Sequence, residues 1–275
     1  MKALKRYGGG VLAVLVATAL FVVPLVFMVL TAVKDRHQAA KLDWSWPAHF
    51  DLVQNFGQVV SARDFMLVQA FINSTVLTVA SVAILVVLAA MVAWVLQRRR
   101  SRWNGLANFL ILSGLIIPPA VVPTIWVLQD LGLFKTMPGL ILVEVAFGMS
   151  FCVMIFRAFI ATIPRELDEA AVIDGCGPVR LFFRVIFPLL RSVIVTVIVV
   201  QSVAVFNDFQ NPLYFFPGDQ NATVQLTLFN FQSQFTSSYN LLFMDILLVT
   251  IPPLVMYLFF NRQIVAGMTA GAVKG

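Results

Sequence analysis

Long apolar stretches alternate with short polar segments along the whole 275-residue chain. A helix needs about 20 apolar residues to cross the hydrocarbon core of a bilayer, and six stretches reach that length. The predicted spans are Val11–Val33, Phe71–Leu96, Leu106–Leu128, Gly139–Ala161, Ser192–Phe216 and Asn240–Phe260. The pattern therefore predicts an all-α polytopic membrane protein with six transmembrane helices.

The composition supports the bilayer as the main solvent of this chain. Hydrophobic residues make up 60% of the sequence and charged residues only 12%, whereas soluble domains carry about 25% charged residues. One of the two cysteines, Cys152, lies in an apolar stretch, and the other, Cys176, lies in a polar segment without neighbouring metal ligands. Neither a disulfide framework nor a metal site is expected.

Lys and Arg are distributed unevenly among the segments that connect the spans. With the N-terminus inside, 14 of the 19 Lys and Arg residues fall on the inner side, and an excess of these residues marks cytoplasmic loops. We therefore predict that both termini, the segment 97–102 and the segment 163–190 face the cytoplasm. The net charge of +6 follows from this topology, and nothing further favours nucleic-acid binding.

Three regions follow from this topology. Residues 1–33 hold the cytoplasmic N-terminus and the first span, because the first apolar run is too long for the core of an ordinary signal peptide. Residues 34–70 form an extracytoplasmic loop, and residues 71–275 hold spans two to six. Trp44 and Trp46 in the loop are interpreted as interfacial anchors in preference to ligand-stacking residues.

The segment 163–190 is a polar, helix-forming insert between the fourth and fifth spans. Pro164 suits the first turn of a helix, and the three acidic residues that follow complement the positive end of the helix dipole. Gly175 and then Gly177 stop this helix, and a second helical run ends near Pro188. The sequence predicts two short helices joined by a glycine turn.

Two interpretations of this insert are open. A helix that lies on lipid headgroups usually has a basic polar face, whereas this helix begins with acids. The small side chains of Ala170 and Ala171 allow a second surface to come close. An acidic start and small residues fit a protein partner better than anionic lipid.

The insert resembles the EAA loop of permeases from binding-protein-dependent ABC importers. That family has Glu-Ala-Ala, three residues, Gly, nine residues and Ile-x-Leu-Pro. This chain has Glu169-Ala170-Ala171, Gly175 and Val185-Ile186-Phe187-Pro188 at the same spacing, with Val185 and Phe187 in place of Ile and Leu. Further segments are similar to the carbohydrate-uptake branch, in its maltose-permease-like six-span type: Asn73-Ser74, Leu131–Leu142, Phe206–Leu213 and Gly267–Gly275.

The resemblance implies a permease subunit of an ATP-driven importer for a sugar, oligosaccharide or polyol, in a bacterial or archaeal cytoplasmic membrane. It implies three kinds of partner: a second related permease, an ATPase dimer and an extracytoplasmic solute-binding protein. The chain is not expected to be an enzyme or to bind a cofactor, since it has no G-x-x-x-x-G-K-[ST] motif; ATP and Mg belong to the ATPase subunits. The residues that the resemblance assigns to ATPase coupling are Glu169, Ala170, Ala171, Asp174, Gly175, Arg180 and Pro188.

A polar group at the outer end of the fifth span is the candidate substrate path. Amide side chains donate and accept hydrogen bonds at once, which suits sugar hydroxyls in a mostly apolar pocket. Alternatively, Asn207 and Asp208 hold adjacent helices together or face the binding protein. The other two acids within the spans, Glu144 and Asp245, are expected near water. The candidate residues are Gln201, Asn207, Asp208, Gln210 and Asn211.

Prolines interrupt the third and sixth spans, and a proline removes a hydrogen bond from the helix backbone. Irregular backbone at membrane depth occurs only where protein or a cavity covers it. We therefore predict that these kinks border the translocation pathway or its gate. The prolines concerned are Pro118, Pro119, Pro123, Pro252 and Pro253.

Two other classes of protein compete with the importer. A proton-coupled secondary transporter would use Glu144, Asp208 and Asp245 as a relay, but it leaves the insert unexplained. A membrane scaffold without transport activity leaves the polar end of the fifth span unexplained. Dependence on ATP or on a proton gradient separates the two transporters, and any transport excludes the scaffold.

Overall fold

The computed structural model describes residues 2–99, 101–228 and 238–270. The residues outside the described part include Arg100 of the predicted inner segment 97–102, residues 229–237, and residues 271–275 at the end of the segment Gly267–Gly275. The described part of the chain contains helices, turns and irregular segments but no strand, which confirms the all-α class.

The α-helices are numbered in chain order: α1 (Lys2–Ala32), α2 (Arg36–Ala39), α3 (Leu52–Arg98), α4 (Asn104–Ile116), α5 (Val121–Asp130), α6 (Met137–Ile160), α7 (Glu166–Ile173), α8 (Pro178–Leu181), α9 (Phe187–Leu189), α10 (Arg191–Phe206), α11 (Gln210–Phe215) and α12 (Tyr239–Ala270). A π-helical turn covers Phe182–Ile186, and a 3-10 turn covers Asp219–Asn221. Residues 224–228 are also helical.

Four of the described helices are long and apolar enough to cross a membrane, and the number rises to six if each of two bent pairs counts as one span. The four single spans are Ala13–Ala32, Leu52–Arg98, Met137–Ile160 and Tyr239–Phe260. The pair α4–α5 bends by 117°, and the pair Pro178–Leu189 with α10 bends by 78°. The chain is therefore a polytopic membrane protein, as its apolar runs predict.

The fifth predicted span is shorter than its apolar run. A continuous helix over Ser192–Phe216 was the expectation, but α10 ends at Phe206 and α11 begins only at Gln210. Asp208 causes this break, because its carboxylate accepts hydrogen bonds from the backbone N–H groups of Gln210, at 2.8 Å, and Asn211, at 3.3 Å. A carboxylate in this position caps a new helix and competes with continuation of the old one.

The third span also contains a break, which follows directly from the sequence. Pro118 and Pro119 lie in the irregular residues 117–120 between α4 and α5. The residue before a proline is disfavoured in the α conformation, so α4 ends at Ile116. The bend of 117° between the two helices is the structural consequence.

The helix α3 is interrupted near its start. Residues 62–65 leave the helical conformation, and Arg63, Asp64 and Phe65 have φ angles of 48°, 54° and 61°. L-residues rarely adopt this left-handed conformation, which costs roughly 1–2 kcal/mol for each residue. The first turns of α3 therefore form a separate segment within the predicted 34–70 region, and the apolar remainder of α3 is the second span.

The chain divides into two compact units. One unit consists of Met1–Gln69 and Val224–Pro252, and the other consists of Ala70–Thr223 and Pro253–Gly275. The larger unit has a continuous core in which the small residues Ala89, Ala90 and Ala93 of α3 are fully buried. Phe156 of α6 and Ile186 of the π-helical turn are fully buried in the same core.

The smaller unit is held together by polar contacts as well as apolar ones. Asn55 donates hydrogen bonds from its amide to the carbonyls of Ala32 and Lys34, both at 2.9 Å, and accepts one from Asn240 at 2.8 Å. The Lys34 ammonium, only 1% exposed, lies 3.1 Å from a carboxylate oxygen of Asp43. These contacts tie the end of α1 to the first turns of α3 and α12.

Candidate functional site

The first helix of the predicted insert, α7, ends in a Schellman motif. Gly175 has a φ of +78°, and its N–H bonds the carbonyl of Val172 at 3.0 Å. The N–H of Cys176 bonds the carbonyl of Ala171 at 2.9 Å. This pair of bonds, with glycine in the left-handed conformation, satisfies the last carbonyls of the helix. The predicted glycine stop is thus confirmed at Gly175, although α7 begins at Glu166 and Pro164 precedes it.

Asp168 anchors α7 to the inner end of α3. Trp94 donates its indole N–H to one carboxylate oxygen of Asp168 at 3.0 Å, and the Nε atom of Arg98 lies 3.1 Å from the other. The Arg98 contact is an ion pair without hydrogen-bond alignment. Arg98 also donates to the carbonyl of Ile163 at 2.9 Å. The start of the insert is therefore fixed to α3 at two points.

This anchor was not predicted from the sequence, in which Asp168 was noted only as an acidic residue near the positive end of the helix dipole. The signal was present, since an acid-rich insert and the basic run at 97–102 were predicted on the same side of the membrane. Local sequence patterns do not show which charged residues pair when they lie 70 positions apart, so the pairing of Asp168 with Arg98 is identified only from the fold.

The second half of the insert packs into the core of the larger unit. Phe182 is 1% exposed, and its ring lies 5.6 Å from that of Trp94. Leu181 and Ile186 are also buried. Trp94 therefore contacts both halves of the insert, which gives α7 a rigid support beneath it.

The opposite face of α7 is exposed and partly apolar. Ile173 is 85% exposed and Val172 is 61% exposed, and beyond the glycine turn Val179 is 66% exposed. Most of the predicted coupling residues share this exposure: Glu169, Ala170, Asp174, Gly175, Arg180 and Pro188. Exposed apolar groups of this size, next to polar residues, are characteristic of interaction surfaces.

Ala171 is the exception among these residues in its exposure, and its assignment to ATPase coupling stays a prediction. It is buried against its own chain, because it lies three residues after Asp168 and therefore on the same face of α7. Its small side chain allows α7 to approach the core. Ala170 alone leaves room for a second surface.

The polar turn between α10 and α11 gathers four of the five candidate substrate-path residues. Asp208 caps α11, and Asn211 donates its amide N–H to Glu144 at 3.2 Å. The carboxyl group of Glu144 also lies close to that of Asp208. Asn207 and Gln210 are exposed at this turn. We call Glu144, Asn207, Asp208, Gln210 and Asn211 the polar turn cluster.

Glu144 does not lie near water, and that expectation was wrong. Its side chain is only 7% exposed, because α6 packs against α11 at this point and Asn211 and Asp208 cover the carboxyl group. Glu144, Gly148 and Cys152 follow one another at intervals of four residues, so they form one stripe along α6.

Gln201, the fifth candidate, lies on α10 and faces this stripe of α6. It is buried and lies beside the thiol of Cys152. A Cβ atom on Gly148 would lie 2.7 Å from Cδ2 of Leu85 and 3.5 Å from Oε1 of Gln201. Glycine at this position therefore permits the close packing of α3, α6 and α10.

Asp245 is also buried, and the expectation that it lies near water was wrong. It is fully shielded at the start of α12 and lies 3.4 Å from the hydroxyl of Thr227, which donates to it. It belongs to the smaller unit, whereas Glu144 and Asp208 belong to the larger one. The three acids of the predicted relay are thus divided between the two units.

The prolines predicted to form kinks occupy different settings. Pro118 and Pro119 form the break between α4 and α5, and Pro123 lies in the first turn of α5. Pro252 and Pro253 lie inside the helical segment α12. Their relation to a pathway or gate stays a prediction.

Asn73 has a structural role that the sequence did not indicate. Its amide donates to the carbonyl of Ala222 at 2.9 Å and to that of Gln220 at 3.3 Å. This amide is buried within α3 and fixes the segment that follows α11. The sequence feature that could have suggested this role is an asparagine within an apolar helix.

Within the described part of the chain, no three or more His, Cys, Asp or Glu side chains are grouped so that they could hold a metal ion. A polytopic chain with an anchored pair of short helices and a polar cluster between its longer helices has features expected of a membrane transport permease.

Residues 85–269 match the family described as binding-protein-dependent transport system inner membrane component. The match covers more than half of the chain, so this protein belongs to that family. It is a permease subunit and not itself an enzyme. The recognition made from the EAA spacing is confirmed.

Curated relatives extend the similarity to most of the chain. The melibiose/raffinose/stachyose import permease protein MelC of Bacillus subtilis is 30% identical over 267 residues, which cover 96% of this chain and 95% of the relative. The diacetylchitobiose uptake system permease protein NgcG of Streptomyces coelicolor is 28% identical, over 94% of this chain and 85% of the relative. The trehalose transport system permease protein SugB of Mycobacterium tuberculosis is 33% identical, over 75% of this chain and 77% of the relative.

Solved structures show the same fold. A chain of a bacterial ABC transporter involved in the import of the acidic polysaccharide alginate superimposes with a TM-score of 0.78 at 17% identity, over 95% of this chain and 98% of that one. A chain from a bacterial alginate ABC transporter in complex with an alginate pentasaccharide-bound periplasmic protein gives a TM-score of 0.69 at 15% identity, over 95% of both chains. At these identities the likeness concerns the fold alone.

Proposed function

We propose that this chain is the membrane-spanning permease subunit of an ATP-driven importer for a neutral sugar, oligosaccharide or polyol, located in the cytoplasmic membrane with both termini inside. It forms the translocation pathway together with a second permease. Two ATPase subunits, which bind ATP and Mg, dock on α7, and an extracytoplasmic solute-binding protein delivers the substrate.

The observation that carries this proposal is the construction of the insert. The exposed face of α7 presents Val172 and Ile173, while Asp168 on the other face is held by Trp94 and Arg98. A helix that is anchored on one side and apolar on the exposed side transmits a push or pull from a docked partner to the rest of the chain. A helix that merely rests on lipid headgroups needs no such anchor.

Two observations support a neutral polyhydroxylated substrate. The relatives MelC, NgcG and SugB are named for melibiose, raffinose, stachyose, diacetylchitobiose and trehalose. The polar turn cluster contains amides and acids but no Lys or Arg, so it offers hydrogen bonds to hydroxyl groups and repels anions. Asn207 and Gln210 are the exposed members of the cluster, and the amide N–H of Asn207 also donates to the carbonyl of Val203 at 2.9 Å.

The test replaces one exposed residue of α7 without disturbing its anchor. Ile173→Asp places a charge in the middle of the proposed docking face, and the residue is 85% exposed, so the permease should fold normally. Val53→Asp is the matched control, because Val53 is 82% exposed and lies on the proposed extracytoplasmic side. Both variants are purified with the second permease, and the retained ATPase subunits are quantified.

We expect Ile173→Asp to lose the ATPase subunits and sugar-stimulated ATP hydrolysis, and Val53→Asp to keep both. Equal retention of the ATPase by the two variants would contradict docking on α7. Gln210→Ala should instead lower sugar uptake while the ATPase subunits remain bound. Unchanged uptake in Gln210→Ala and Asn207→Ala would remove the polar turn cluster from the pathway.

A proton-coupled transporter is the second candidate, and the contact between Glu144 and Asp208 favours it. The anchored insert and the family membership favour the importer, because a secondary transporter has no use for an ATPase docking helix. Uptake that persists without ATP and stops when the proton gradient is collapsed would select the second candidate.

A further inference from the structure

The smaller unit contains a polar cavity that the proposed coupling and pathway do not use. Its volume is about 500 Å³, within the range of roughly 300–1,000 Å³ typical of small-molecule sites. It lies among α2, the first turns of α3 and the start of α12. Under the proposed topology this cavity opens on the extracytoplasmic side.

One wall of the cavity is a polar face at the start of α3. Asp51, Asn55 and Gln58 recur at helical spacing, and Gln54 lies beside them. Asn55 is buried and fixed by the carbonyls of Ala32 and Lys34, whereas Gln54 and Gln58 are exposed at the rim. The wall thus combines a rigid amide below with two movable amides above.

A buried pair of amide side chains, Asn55 and Asn240, lies at the floor of the cavity. Asn240 is 5% exposed, and it donates its amide N–H to Asn55 at 2.8 Å. Both amide hydrogens of Asn55 are already used by backbone carbonyls, so the orientation of the pair is fixed. The Oδ1 atom of Asn240 is left with no hydrogen-bond partner among the described residues.

Charges of both signs border the cavity. Asp35 and Asp51 face it together with Arg36 and His37. Asp35 is engaged as the cap of α2, where hydrogen bonds from the N–H groups of Gln38 and His37 lower its pKa. Two carboxylates disfavour an anion and the guanidinium disfavours a cation. A neutral ligand with several hydroxyl groups matches the exposed amides of Gln54 and Gln58, which donate and accept hydrogen bonds.

We propose that this cavity is a second, weak binding site for a neutral di- or trisaccharide, outside the polar turn cluster. The inference rests on the proposed import of sugars, and it adds a place where the substrate is held after release from the solute-binding protein. No Phe, Tyr or Trp side chain lines the cavity among the described residues, and we expect a dissociation constant of about 1 mM.

The test uses protection of a thiol from an impermeant maleimide applied from the outer side. Gln58→Cys puts the thiol at the cavity rim, and Val53→Cys puts one on the same helix outside the cavity. The native Cys152 is buried, and Cys176→Ser removes the half-exposed thiol of the insert. The full importer is used in spheroplasts without the solute-binding protein, and raffinose and trehalose are the probes, with glucuronate as the anionic comparison.

We expect raffinose or trehalose to slow labelling of Gln58→Cys roughly fivefold at about four times the dissociation constant, by simple competition. Labelling of Val53→Cys should not change, and adding Gln54→Ala to Gln58→Cys should weaken the protection. No protection by either sugar at saturation overturns the proposal. Equal protection by glucuronate, equal protection of Val53→Cys, or protection only when the solute-binding protein is present also overturns it.

The labelling requires neither ATP nor uptake, so it separates this inference from the proposed function. Protection without ATP-driven uptake would support the cavity and overturn the importer. ATP-driven uptake without protection would support the importer and overturn the cavity.

Discussion

Gly175 ends α7 in a conformation that only glycine adopts easily, and replacing it tests whether the shape of the insert matters for coupling. Its φ is +78°, and a Cβ atom added there would meet nothing within 4 Å. The variant Gly175→Ala therefore introduces no clash. Its cost is the backbone penalty alone, roughly 1–2 kcal/mol for an L-residue in the left-handed region.

A matched control lies two residues away. Gly177 has a φ of −69° and ψ of 161°, which any residue adopts, and a Cβ atom there also meets nothing within 4 Å. Gly177→Ala should therefore cost little. Gly175→Asn should fall between the two, because asparagine tolerates the left-handed conformation better than alanine does.

The assay is equilibrium binding of the ATPase subunits to the permease pair in lipid nanodiscs, together with thermal unfolding of each permease variant. A penalty of 1–2 kcal/mol corresponds to about a 5–30-fold change. If the turn relaxes in the free permease variant, the penalty appears as weaker binding of the ATPase subunits. If the strained turn persists in the free variant, the penalty appears as lower thermal stability of the permease. We expect Gly175→Ala to differ from Gly177→Ala in at least one of these measurements. If the two variants match the wild type in both, the Schellman turn has no part in coupling.

Three further predictions concern other polar contacts. Asp168→Asn removes the ion pair with Arg98 and should lower the free energy of unfolding by about 1–3 kcal/mol, measured by thermal denaturation; Glu166→Gln, on the exposed face of the same turn, should leave it unchanged. Glu144→Leu should lower sugar uptake and thermal stability more than Glu144→Gln, because leucine leaves the N–H of Asn211 unpaired; equal effects would refute this role. The hydroxyl of Ser45 and the ammonium of Lys34 lower the pKa of Asp43 from 3.8 to about 2. The stability that Asp43 contributes should be complete above its unfolded pKa and lost as the pH falls through about 2, so the difference in melting temperature between wild type and Asp43→Asn should close over that range.

The sequence predicts those features of the fold that depend on local pattern. Apolar runs identify most of the spans, since length and hydropathy alone decide whether a helix crosses a bilayer. The break at Pro118 and the helix stop at Gly175 follow from the backbone restrictions of proline and glycine. The recognition of the permease family required only the spacing from Glu169 to Pro188.

Features that depend on pairing between distant elements were not predictable in this way. Glu144 and Asp245 were expected near water because charges within spans are costly, yet each is buried beside a polar partner that lies elsewhere in the chain. The end of α10 at Phe206 depends on capping by Asp208, which competes with a strongly apolar run. The burial of Ala171 depends on the anchor at Asp168, so the face of α7 that is free for a partner could be assigned only from the fold.

The central claim is that this chain moves a neutral sugar across a membrane at the expense of ATP hydrolysed by subunits docked on α7. The most direct measurement is uptake of radiolabelled raffinose or trehalose by proteoliposomes that contain both permeases and the ATPase, with the solute-binding protein outside and ATP inside. The account predicts uptake that requires ATP, survives a protonophore and is lost in Ile173→Asp. Uptake that is independent of ATP and abolished by the protonophore would contradict it.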